Sequence, residues 1–164
     1  NLLGQDRHAD AIPHLRRTLE LVRDHGMGGP MQELGTSLAL ADALLETGKN
    51  VEAQTLLDRA KVIQLQARDP SIDIQLNLLE ASQRAGAGDL IGALTQVDSV
   101  DASKLTDIQR WDVLKIRADL LERLGRFAQA TKVLHDINAL RETNKLKSDN
   151  VWAGAVLKLP PISG

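Results

Sequence analysis

Apolar side chains in this chain recur at helical rather than strand spacing. Leu34, Leu38, Ala41 and Leu45 fall on one helical face, and so do Leu114, Ala118 and Leu121, with polar residues between them. No stretch alternates with a period of two. The pattern predicts a set of helices at 31–47, 72–86 and 107–124, and a second set at 8–25, 50–66, 89–100 and 127–141. A further helix within 148–159 carries Val151, Trp152, Ala155, Val156 and Leu159, and Pro160-Pro161 stops it.

Local signals set the ends of these segments. Pro30 after Gly29 suits a first helical turn, Asp69 before Pro70-Ser71 offers a cap, and Thr106 with Gln109 spells a capping box. Gly48, Gly88 and Gly125 each follow an apolar run, where a left-handed residue closes a helix without calling for any ligand.

These glycines belong to a longer repetition. Ala11, Ala53, Ala93 and Ala130 each follow a short turn, and each is followed four residues later by Leu15, Leu57, Val97 or Leu134. The alanines lie 42, 40 and 37 residues apart, too far for a heptad and in the range of helical arrays. A small residue four before a large one on the same helix face lets a neighbouring backbone approach and then fills the gap beside it. Each repeat is therefore expected to be a helix hairpin.

The clearest repeat, through Leu40-Ala41, Leu44, Gly48, Ala53, Leu57 and Ala60, resembles the tetratricopeptide repeat (TPR) family. The fourth follows through Leu114, Ala118, Leu121, Gly125, Ala130 and Leu134, with Ile137 where a small residue is usual. The third keeps Ala81, Gly88, Ala93 and Val97, with Arg84 where an aromatic or leucine is usual. The first contributes only a second helix, with Ala11, Leu15 and Leu19. The spacing exceeds the family's usual ~34 residues. The chain is thus similar to the longer hairpins of bacterial regulators such as the maltose-regulon activator, with extra residues in the connections at 65–70 and 99–106. The resemblance implies an all-α single domain over 1–164. Within it, an α-solenoid of antiparallel hairpins in a right-handed superhelix would hold a partial repeat at 1–26, repeats at 30–66, 71–101 and 106–141, and a C-terminal cap at 148–159.

In that family, first-helix residues that avoid both helical neighbours line a concave groove. The resemblance places Leu38, Asp42 and Leu45 there from the second repeat, Gln75, Leu78 and Ser82 from the third, and Asp112, Lys115, Asp119 and Glu122 from the fourth. Relatives that hold the acidic tails of heat-shock chaperones need a lysine and an asparagine on this surface. Here the matching pairs are Leu38 with Asp42, Leu78 with Ser82, and Lys115 with Asp119, so no repeat completes that clamp. An apolar end and a carboxylate-rich end instead fit an amphipathic or extended peptide with basic residues.

Composition narrows the function classes further. With 43% hydrophobic and 26% charged residues and a formal charge of -2, the chain is neither a disordered acidic segment nor a polybasic nucleic-acid binder. One Phe, two Trp and no Tyr leave little to stack on bases or sugars. The absence of cysteine excludes thiolate chemistry and leaves cytoplasm and bacterial periplasm both open. Asp42 and Glu46 interrupt the most apolar window, Leu38 to Leu45, so no membrane span is expected. The start at Asn1, without an initiator Met or leader pattern, suggests a piece of a longer protein.

Reactive constellations are sparse. His8, Asp10 and His14 form the only local cluster worth testing as a metal or acid/base site, but the histidines are six positions apart, which separates them around a helix. His25 and His135 read as helix-end and surface residues. Gly26-Met27-Gly28-Gly29 and Gly86-Ala87-Gly88 lack the lysine and the preceding strand of a phosphate loop. Trp111 and Trp152 lie in helical apolar patterns and read as core or cap, and Arg16-Arg17 with Arg23 reads as a solvated basic face. No catalytic residue, cofactor or metal is expected. The favoured function is a non-catalytic protein-interaction or scaffold module. A regulatory or sensor segment of a bacterial transcription regulator or kinase is a second reading. A third rests on Leu105, Gln109-Arg110-Trp111, Lys115, Gly125-Arg126 and Asn150-Val151-Trp152, which resemble the TPR-like domain of lipoprotein activators of penicillin-binding proteins.

Overall fold

The structure, a computed structural model, describes residues 2–143, with side chains from Arg7 onward. The expected C-terminal cap at 148–159, with Trp152, lies outside the described residues. Among these, seven α-helices follow one another: α1 (Leu2–His25), α2 (Gly29–Glu46), α3 (Asn50–Ala67), α4 (Pro70–Gly86), α5 (Leu90–Asp98), α6 (Asp107–Arg123) and α7 (Phe127–Thr143). A single 3-10 turn, Ala102–Lys104, interrupts the connection before α6, and no strand occurs among the described residues. The all-helical reading holds, and most predicted boundaries fall within one or two residues of the observed ones.

Two boundaries differ. α1 begins at Leu2 rather than residue 8 and carries Pro13 inside it, so one backbone N–H of the ladder is absent there. The connection expected over 65–70 is only Arg68 and Asp69, because α3 and α4 take up the remaining residues. Arg68 makes this short link possible with a left-handed backbone, φ 52°, unique to it among non-glycine residues described.

The turns repeat in atomic detail. After α2, the Lys49 N–H donates to the Leu44 carbonyl at 2.8 Å and Gly48 donates to Leu45 at 3.0 Å. After α4, Asp89 donates to Arg84 at 2.9 Å and Gly88 to Ala85 at 3.1 Å. After α6, Arg126 donates to Leu121 at 2.8 Å and Gly125 to Glu122 at 2.9 Å. This paired bonding satisfies orphan carbonyls at a helix end and needs a left-handed residue, which Gly48, Gly88 and Gly125 supply at φ 76°, 93° and 72°. The predicted starts are also built as expected. Asp69 accepts from the Ser71 N–H at 2.9 Å, and Thr106 and Gln109 exchange both bonds of a capping box.

Contacts gather the chain into two units, Asn1–Gln96 and Val97–Gly164. In the first, α2 packs against α1, α3 and α4, and α3 packs against α4. Links of three residues between packed helices, as at 26–28 and 47–49, make those pairs antiparallel. Leu34, Leu38, Ala41, Leu44, Ala53, Leu57 and Ala60 are essentially inaccessible and form the centre of its core. In the second unit α6 packs against α7, with Trp111, Leu120, Leu121, Ala130 and Ile137 buried. Ala53, Ala93 and Ala130 are all buried as the repeat pattern requires, while Ala11 is only half-buried.

Candidate functional site

In the first unit the predicted lining residues divide between surface and core. Gln75 is exposed, and Asp42, Leu45 and Ser82 are half-buried, whereas Leu38 and Leu78 are only 1% and 8% accessible. Helical periodicity puts Leu38, Asp42 and Leu45 on neighbouring rows, but α2 is enclosed by three other helices. That enclosure turns the Leu38 row inward, where it joins the main apolar cluster. Leu38 and Leu78 are therefore corrected from lining to core, and the expected apolar end of the surface shrinks to Leu45. Asp42 is not a bare charge, since it already has an interaction partner.

The second unit presents Asp112, Lys115, Asp119 and Glu122 along α6. Spacings of three and four residues keep them on one helical face. Lys115, Asp119 and Glu122 are exposed, and Asp112 is half-buried and engaged by a partner. Asp119 pairs with Arg123 one turn later at 3.6 Å, with both side chains well exposed. Such a pair contributes at most about 1 kcal/mol and exchanges readily with an incoming cation. The accessible chemistry of this face is carboxylate with one ammonium among it.

His8 is half-buried, Asp10 and His14 are exposed, and no cluster able to hold a metal ion occurs among the described residues. The basic face of α1 is matched rather than simply solvated. Arg16 makes a bidentate pair with Glu52 of α3 at 2.6 and 2.7 Å, Arg17 meets Glu20 at 3.1 Å, and Arg23 meets Glu33 of α2 at 3.0 Å. Trp111 is buried. No helix among the described residues is long and apolar enough to cross a membrane.

Three polar groups that hold helices together escaped sequence reasoning. Glu33, with a side chain 13% accessible, accepts from Arg23 of α1 and, at 3.2 Å, from Arg59 of α3. Burial pushes its carboxyl upward, but the hydrogen bonds and charges of the two guanidinium groups prevail and hold it below the ordinary 4.5. Gln64, 5% accessible, donates from its amide to the Asp69 carbonyl at 2.6 Å and to the Asp73 carboxylate at 2.8 Å, bracing the Arg68 turn. Glu80 on α4 pairs with Lys61 of α3 and accepts from Gln96 of α5 at 2.9 Å. Every partner here except Asp69 and Asp73 lies ten or more residues away, and no motif announces the pairing. Comparison with family models, with curated proteins and with solved structures returned no match.

Proposed function

We propose that this chain is a non-catalytic protein-interaction module built from TPR-like hairpins in solenoid order, and that its α6 face receives a peptide or partner protein bearing basic residues. One observation carries the reading: the same unit recurs after α2, α4 and α6, with a paired-bond glycine cap and then a buried alanine five residues on. Arrays of such units gain function from the surface they extend rather than from a reactive cleft. The carboxylates on α6 supply the chemistry, since Asp119 and Glu122 are exposed on the same face as Asp112. An excess of negative charge on an exposed helix face, here three carboxylates to the one ammonium of Lys115, favours partners of the other sign and speeds their encounter.

The test is titration of a synthetic amphipathic helical peptide with lysines on its polar face. Affinity should fall about tenfold, near 1.4 kcal/mol, in Asp119→Lys/Glu122→Lys. It should be retained when all four histidines are replaced, and should weaken as salt is raised. Equal affinity of the charge-reversed and parent proteins would overturn the assignment of this face.

A further inference from the structure

We draw no further inference here: the strongest candidate, the exposed apolar side chains of Val51 and Ile91 at equivalent places at the starts of α3 and α5 in the first unit, carries nothing because nothing in the structure shows what covers them.

Discussion

Ala53 and Ala93 have no accessible surface, and each sits one turn before a buried apolar residue, Leu57 or Val97. Both methyl groups lie wholly in the packed interior, so extra carbons there must be accommodated by shifting the atoms around them. Ala53→Leu and Ala93→Leu should each cost about 1–3 kcal/mol through overpacking, seen as a lower denaturant midpoint at unchanged slope. An unchanged midpoint in both would contradict close packing at the alanines. Ser37 gives the opposite expectation. It is fully buried on α2 with its hydroxyl oxygen unpaired, a desolvation cost with no hydrogen bond to offset it. Ser37→Ala removes the oxygen without opening a large cavity, and should raise stability by about 1 kcal/mol in the same denaturation assay. A lower midpoint would show that the hydroxyl has a partner.

At the scale of elements, helix ends were legible in the sequence because their causes are local. Gly48, Gly88 and Gly125 close helices and Asp69 and Thr106 open them, all through bonds spanning five residues or fewer. How many neighbours a helix has is not local, which is why periodicity marked the Leu38 row as a face without showing that the face is enclosed. The α6 positions Lys115, Asp119 and Glu122 were legible as surface for the converse reason, since charge on that row resists enclosure. Links between helices were illegible because Arg16 and Glu52, or Arg59 and Glu33, are 36 and 26 residues apart. Glu33 shows what such a link contributes. It joins α1, α2 and α3, and its carboxyl is held below 4.5 in the folded chain. A depressed carboxylate stabilises the fold above its unfolded value, and that contribution is lost as pH falls through the folded value. Glu33→Gln should therefore cost about 1 kcal/mol at pH 7. The gap to the parent should narrow below about pH 4.5 and close in stronger acid, as followed by denaturation midpoints across pH. A gap of constant size from pH 7 into acid would mean that the two arginines do not sense the carboxylate charge.

For the whole molecule the division at Gln96 and Val97 matters more than the helical content of the described residues. Each unit has buried apolar residues of its own, Leu34, Leu44 and Leu57 in the first and Leu120, Val133 and Ile137 in the second. When a chain is assembled from neighbouring helix pairs, its stability is close to a sum over those pairs, and a lesion is felt most where its own neighbours lie. Ala130, 2% accessible on α7, offers a clean lesion because α7 packs against α6 within the second unit. Ala130→Leu should weaken that pair by about 1–3 kcal/mol. Backbone hydrogen exchange should then quicken by tenfold or more across α6 and α7, since each 1.4 kcal/mol is a factor of ten in the opening equilibrium. Protection in α2 and α3, whose buried surfaces rest on one another and on α1 and α4, should change little. Ala53→Leu should produce the reverse map. If either substitution instead quickened exchange evenly from α1 to α7, the chain would be opening as one cooperative block rather than unit by unit.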